Sequence, residues 1–365
     1  MSRVCFGLAA WAIVGLFGPV LADAQPGNGS IVAWGDNDCG QCDVPTPNTG
    51  FIAVAGGYYH SLGLKGDGSI STWGEQGYGC CVVPSPNADF VAVGAGDCLS
   101  VGLKAAGSIV AWGNNYHGQC DVPAPNADFV AVAVGLAHVL GLKADGSVVA
   151  WGDNGMGQCD VPAPNSGFAA VAARDHSLGL KVDGSTVAWG GEGFPGDPPA
   201  PNSGFVGVAA GWYFSLDLKS DGSIVAWGEN NQGQCNVPSP NSGFVAVAGG
   251  GYHGLGLKAD GSIVAWGANW NGQCDVPAPN TGFVAIAAGR YHSLAVKSYA
   301  TGDLNCDGVV DFGDINPFVA YLSNFVGWQT EFPGCPAENG DINGDGLYPD
   351  FGDINPFVAL LTGGG

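Results

Sequence analysis

The chain has 365 residues, 46% of them apolar and only 12% charged, with 64 glycines and a formal charge of −22 at neutral pH. Nucleic-acid binding rests on clustered Lys and Arg that displace counterions; the 10 basic residues here are spread singly, so nucleic acid is not an expected partner. Regular apolar patterning at this glycine content excludes a low-complexity polymer and points to a turn-rich β protein.

In chain order, the first element is a leader. Arg3 precedes an apolar run over residues 4–21, and "ADA" at 22–24 has the small-x-small form of a signal-peptidase site. A retained anchor is the rival reading, since a run of this length nearly spans a bilayer. Gly15, Gly18 and Pro19, followed at once by the cleavage pattern, favour removal of residues 1–24 as a signal peptide. Arg3 and Asp23 leave together, so the mature chain keeps its net charge. No later stretch is long and apolar enough to span a membrane, and the expected location is secreted or cell envelope.

From residue 28 the chain repeats. Trp-Gly pairs begin at Trp34, Trp73, Trp112, Trp151, Trp189, Trp227 and Trp266, at intervals of 39, 39, 39, 38, 38 and 39 residues. In the third unit "SIVAWG", "FVAVAVG" and "HVLGLK" alternate and end at Gly- or Asn-containing turns, so three short strands are predicted. "DVPAPN" between them is extended, its prolines confining it to an edge or a loop. A unit this small buries no sheet alone, so the units must stack; small antiparallel sheets set radially make a β-propeller. The first strand, "IVAWG" at 31–35, is the last of a unit, and the final one, "HSLAVK" at 292–297, is a middle strand. Joining the termini completes a seventh unit and leaves no free edge. The expected fold is an all-β seven-bladed β-propeller over residues 28–298, a linker at 299–301, and a small α domain at 302–362.

The pattern "FVAVAAG…HSLGLK-x-DGSIVAWG-x-N-x-x-GQ" resembles the repeat of the regulator of chromosome condensation family. The short "GQCDVPAPNSGF" connector looks more like the secreted seven-bladed β-lactamase inhibitory propellers of that superfamily. The resemblance implies the fold, and one propeller supports many functions. Nuclear members of the family act on a small GTPase and on chromatin, a setting that an acidic, exported chain does not share.

Within the repeat, most periodic residues read as structure. One Trp per unit at a fixed strand position fills the contact between neighbours, burying ~200 Å² for roughly 5 kcal/mol gross. His60, His138, His176, His253 and His292 share one position, with Leu99 and Phe214 in the other two, which a metal ring would not tolerate. Their ring nitrogens are expected to bond backbone at the strand start. The lysines, one per unit beside turn acids such as Asp67, Asp145 and Asp260, read as solvated ion pairs. Cys42, Cys81, Cys120, Cys159, Cys235 and Cys274 share one position, too far apart on neighbouring units to bridge. Cys39, Cys80 and Cys98 break that pattern and leave one bridge open among them.

Where the units differ, they differ at one end. The turns after "FVAVAAG" and the loops after "AWG" vary, while the "K-x-DG" turns opposite are nearly uniform. The variable end gathers Tyr58, Tyr59, Tyr78, Tyr116, Trp212, Tyr213, Tyr252, Trp270 and Tyr291, with Arg290 beside them. Tyr, Trp and Arg on a rigid scaffold anchor protein interfaces, and the rings also suit sugars. No nucleophile elbow or metal-type His/Glu spacing appears, and loop acids such as Asp97, Asp175, Glu75, Glu192 and Glu229 single out no catalytic pair.

The tail changes character: residues 302–365 hold eight Asp, two Glu and no Lys or Arg. "DLNCDGVVDFGD" sets Asp303, Asn305, Asp307, the Val309 carbonyl, Asp311 and Asp314 at EF-hand positions 1, 3, 5, 7, 9 and 12, with Gly308 at the turn. A second copy offers Asp341, Asn343, Asp345 and Leu347, then one extra residue before Asp350 and Asp353. "DFGDINPFVA" recurs unchanged at 311–320 and 350–359, each copy opening a short apolar helix. This duplicated loop-helix resembles a dockerin domain, which implies two bound Ca2+ ions and docking onto a cohesin-like partner. The insertion, Pro317 and Pro356, and "FG" where partner-contact residues usually sit depart from that pattern. Cys306 and Cys335 are the only cysteines of the tail and form the expected disulfide.

Together these features lead to an exported, non-enzymatic binding protein. Its propeller face recognises protein or glycan, and its calcium-dependent tail attaches to a cohesin-like or envelope protein. The alternative is a polysaccharide-acting protein, since dockerins frequently ride on glycan-degrading enzymes; a secreted enzyme inhibitor is a further one.

Overall fold

The computed structural model describes residues 29–191, 196–298, 302–304, 310, 312–332, 335, 337–340, 342 and 351–361. The expected leader at 1–24 and linker at 299–301 lie outside the described residues. Between 29 and 298 the described residues form 21 strands, in five antiparallel triplets and one six-stranded sheet that joins two further triplets where Gly29 pairs with Phe51. Unit 1 runs Phe51–Gly56 (inner), His60–Lys65 (middle) and Ile70–Gly74 (outer). Units 2 to 6 repeat this from inner strands Phe90–Ala95, Phe129–Val134, Phe168–Ala173, Phe205–Ala210 and Phe244–Gly249. Unit 7 pairs Phe283–Ala288 with His292–Ser298, and its outer strand is Gly29–Gly35 from the other terminus. Trp34 there stands opposite Ser293, so the two ends of the repeat region close one sheet, as the strand order predicts.

Each inner strand packs against that of the next unit, and that of unit 7 against that of unit 1, so the triplets form a ring. Middle strands are buried along almost their whole length, which explains why "HSLGLK" shows little polar alternation. The outer Trp packs on the preceding unit: Trp112 joins Leu62, Leu64 and Ile70 of unit 1. The Gly after each Trp is a backbone requirement in most units. Gly74 has φ 101°, and a Cβ there would meet the Tyr59 carbonyl oxygen at 2.6 Å. The "DVPAPN" loop is tied by its Asn: Asn48 accepts from Ile31 N at 2.7 Å and donates to Ile31 O at 2.8 Å.

A shared acceptor joins four of the six regular seams. The carbonyl of Gln41 accepts from both Trp73 Nε1 at 2.9 Å and Ser61 Oγ at 2.9 Å of the next unit. That Ser in turn meets a His of the preceding unit: His292 Nε2 lies 3.0 Å from Ser61 Oγ. His60, His138, His176 and His253 meet Ser100, Ser177, Ser215 and Ser293 in the same way. The imidazoles are buried as expected, but the partner of Nε2 is a side chain across the seam, not backbone at the strand start. Where a unit lacks His, the next unit lacks Ser: Leu99 precedes Val139, and Phe214 precedes Gly254.

One seam departs from this pattern. Between units 4 and 5 the "GQC" loop is replaced by "GGEGFPGD", and no Gln carbonyl is there for Trp227. Its Nε1 donates instead to Asp217 Oδ2 at 2.8 Å, a carboxyl standing where most units have Gly. Asp217 is fully buried, and burial pushes its pKa up to about 7 against the hydrogen bond from Trp227.

Two further expectations change. The turn acids bond Ser, not Lys: Asp67 accepts from Ser69 Oγ at 2.6 Å. Lys104 Nζ sits 3.5 Å from the Phe90 ring centroid and donates to the Pro86 carbonyl at 3.1 Å, because its stem lies along the inner strand. The nine propeller cysteines, Cys39, Cys80 and Cys98 among them, are all free thiols.

In the tail, helices α1 (Ile315–Ser323), α2 (Phe325–Glu331) and α3 (Ile354–Leu361) enclose a small core of Leu304, Phe318, Tyr321, Trp328 and Phe357. The equivalent phenylalanines of the duplication, Phe318 and Phe357, stack with centroids 4.0 Å apart. No helix among the described residues is long and apolar enough to cross a membrane.

Candidate functional site

The variable end converges on the ring axis. Tyr59, Tyr58, Trp212, Tyr252, Trp270 and Tyr291, drawn from units 1, 5, 6 and 7, form an unbroken chain of ring contacts 4.4 to 6.0 Å between centroids. Arg290 sits within it, its guanidinium carbon 3.8 Å from the Tyr58 centroid, 4.5 Å from Tyr291 and 4.9 Å from Trp212. Its Nη1 donates to Tyr59 OH at 2.8 Å. Such face-on guanidinium contacts contribute ~0.5–2 kcal/mol each and hold the cation in place. Most of these rings are half-buried, while Trp270 is 59% exposed. Tyr78 and Tyr116 are exposed on outlying loops, Tyr116 against His117, and Tyr213 is held at φ 58°. Among the described residues no ring contact joins these three to the central chain.

The turns beneath are linked round the axis by backbone. Tyr58 N donates to Gly96 O, Asp97 N to Leu136 O, Leu136 N to Arg174 O, and Arg290 N to Gly57 O. Between units 4 and 5 this link passes through a side chain, Tyr213 N donating to Asp175 Oδ1 at 3.1 Å. The turn of unit 4, "ARDH", is one residue shorter than the rest and puts Arg174 where the other units have Gly or its equivalent. Sequence reasoning left Arg174 out of the site; its signal was the 38-residue interval. Arg174 is 4% exposed, and its Nη1 reaches across the axis to Gly56 O of unit 1 at 3.5 Å. Burial lowers its pKa to about 10, with Asp175 and Asp97 pulling the other way. Burial raises the Asp97 carboxyl, which Arg174 opposes. Glu75 and Glu229 sit on separate loops, each accepting from a neighbour two residues on, and Glu192 lies outside the described residues.

In the tail, Asp303, Asp314 and Asp353 are fully buried. Asp314 Oδ1 accepts from Leu304 N at 2.8 Å and Asp353 Oδ1 from Ile342 N at 2.7 Å, the same bond in both copies. Among the described residues no group of three or more His, Cys, Asp or Glu stands together in a way that could hold a metal ion. Asn305, Asp307, Val309, Asp311, Asp341, Asn343, Asp345, Leu347 and Asp350 lie outside the described residues. Cys335 is disulfide-bonded, while its expected partner Cys306 also lies outside them.

Four segments match the regulator of chromosome condensation (RCC1) repeat, at residues 51–80, 129–158, 205–234 and 244–273. No curated protein sequence matches the chain. Among solved structures, Prp20p from Saccharomyces cerevisiae, described with its binding to Gsp1p and histones, is 17% identical with a TM-score of 0.64. That match covers 77% of this chain and 94% of Prp20p. Yeast RCC1 (Prp20) bound by Kap60 is likewise 17% identical, with a TM-score of 0.65 over 76% of this chain and 90% of that one. The ectodomain of the Arabidopsis thaliana receptor kinase ACR4 is 24% identical, with a TM-score of 0.54 over 66% and 91% of the two chains. The likeness is one of fold: the four matched segments are RCC1 repeats, and the strands of the repeat region form an RCC1-like β-propeller.

Proposed function

We propose that the chain is an exported, non-catalytic binding protein whose seven triplets act as the blades of one propeller and present the aromatic-arginine end to a protein partner. The observation that carries this is the six-ring chain around Arg290, assembled from units far apart in sequence. Half-buried aromatics and Arg at the centre of a rigid surface are the residue types that dominate protein interfaces. Protein binding by propellers of this fold, Gsp1p and histones for Prp20p, supports the same class of partner.

The tail is the attachment module in this proposal. Bound Ca2+ would supply positive charge to the carboxylates of 302–362, with Asp303 and Asp314 in the first loop and Asp353 in the second among its holders. Its partner would be a cohesin-like or envelope protein, and the leader places the chain outside the cytoplasm. The test is a pull-down from secreted and envelope fractions with the mature protein, in calcium and in chelator. Trp212→Ala/Arg290→Ala is expected to lose the propeller partner alone, and chelator or Asp314→Ala the tail partner alone. Capture unchanged in the face variant contradicts the recognition role, and capture only of polysaccharide, lost in that variant, reassigns the face to glycan.

A further inference from the structure

Two cysteines at the seam between units 1 and 2 are exceptions to the repeat. Cys80 stands where five other post-Trp loops carry Gln, and Cys98 where four of the other turns carry Tyr. The two exceptions meet, the Cys80 thiol lying in hydrogen-bond contact with that of Cys98 and with that of its neighbour Cys81. Gly113 sits against both backbones: a Cβ there would meet the Cys98 carbonyl oxygen and, at 3.3 Å, Cys80 Cβ. We propose that this trio is a thiol–disulfide exchange site, in which Cys80 and Cys98 take the oxidising equivalent of a small external disulfide and close into a bridge across the seam.

Cys81 is the point of entry. It is half-buried where Cys80 is fully buried. Both thiols donate to the Glu75 carbonyl, at 3.1 and 3.2 Å, so the adjacent sulfurs lie on the same side of the loop. The contact with Cys80 lowers the Cys81 pKa, while the same contact holds Cys80 up at about 12. The thiolate is the attacking form, and it appears first at Cys81. Cys81 attacks one sulfur of the external disulfide and releases one small thiolate. Cys80 then attacks the Cys81 sulfur and releases the second. Cys98 attacks the Cys80 sulfur and returns Cys81 to a thiolate. Each displacement makes one S–S bond and breaks one. The Cys80 and Cys98 protons pass to the released thiolates through solvent, so the pair loses two electrons and the external disulfide ends as two thiols. The remaining propeller cysteines are placed differently. Cys42, Cys120, Cys159, Cys235 and Cys274 each donate to a backbone carbonyl at 3.3 Å, and Cys39 turns to the Glu75 side chain. Compartments outside the cytoplasm keep such disulfides available; the proposal takes only that setting from the exported reading and needs no partner at the aromatic rim.

The experiment places the reduced, desalted mature protein in oxidised glutathione, quenches it with acid, then unfolds and alkylates it with N-ethylmaleimide for peptide mapping by mass. The expected result is a Cys80–Cys98 cross-link that reductant opens, with Cys81 and the rest of the nine propeller thiols alkylated. Alkylation of all nine, a lasting glutathione adduct in place of the bridge, or a bridge that includes Cys39 overturns the site. Cys81→Ser is expected to form the same bridge about tenfold more slowly, and an unchanged rate overturns its role as the entry. Mapping of the unaltered chain decides the Cys80–Cys98 pair whether or not that variant folds.

Discussion

Six seams of the ring and the one between units 4 and 5 solve the same packing problem differently. At the regular seams a loop carbonyl takes the Trp indole, and charge stays outside. At the irregular seam that loop is lost, and Asp217, Arg174 and Asp175 enter the interior in its place. The Trp position is retained at the irregular seam and its acceptor is rebuilt, so the seam indole N–H keeps a partner there as well. Relaxing one seam also opens the axis to a guanidinium.

Acidification tests the regular seams hardest. Burial holds His60 and His138 at about 4, and burial with the charge of Arg174 holds His253 and His292 at about 3. The unfolded chain takes up these protons first, near pH 6.5, so stability is lost as pH falls from 6.5 towards 4. The loss is about 3 kcal/mol per imidazole at the limit, read by guanidinium unfolding from pH 7 to 4. His60→Leu with Ser100→Val copies the natural Leu99–Val139 seam and should remove one imidazole's share of the slope. A slope unchanged in that variant breaks the assignment.

The irregular seam has the opposite sign. Asp217 titrates at about 7 in the folded chain, above its unfolded value. The native state binds the extra proton, and stability from this group declines as pH rises from about 4 to 7. Asp217→Asn keeps an acceptor for Trp227 and is expected to gain about 3–4 kcal/mol relative to wild type across that window. Parallel pH profiles of the two proteins would contradict it. The smallest effect belongs to the uniform end, where Lys104→Met keeps the stem on Phe90 and loses the cation contact together with the Nζ hydrogen bonds to the Pro86 and Ala88 carbonyls. A cost of ~0.5–1 kcal/mol in urea unfolding is expected.

The strands and their closure were legible because Trp-Gly period and strand alternation are local signals, and the two INPFVA helices followed their loops as read. The cross-seam partners were not, since His60 and Ser100 stand in different units and no local rule pairs them. The signal lay in correlated exceptions: Leu99 with Val139, Phe214 with Gly254, and Asp217 replacing Gly after the lost loop. Lysine was misread because adjacency in sequence to Asp67 or Asp145 says nothing of direction, and the turn sends the acid to its own Ser. Of the ten face residues, seven converge; Tyr78, Tyr116 and Tyr213 share the end but are exposed outside the cluster.

The most direct measurement places a photo-crosslinking residue at Tyr291, on the aromatic rim, or at Ser69, in a uniform turn. Each mature protein is then exposed to the secreted and envelope fractions. A discrete protein adduct at Tyr291 that is absent at Ser69 is the expected result. Equal adducts at both positions, or one at Ser69 alone, would contradict a recognition role for the variable end.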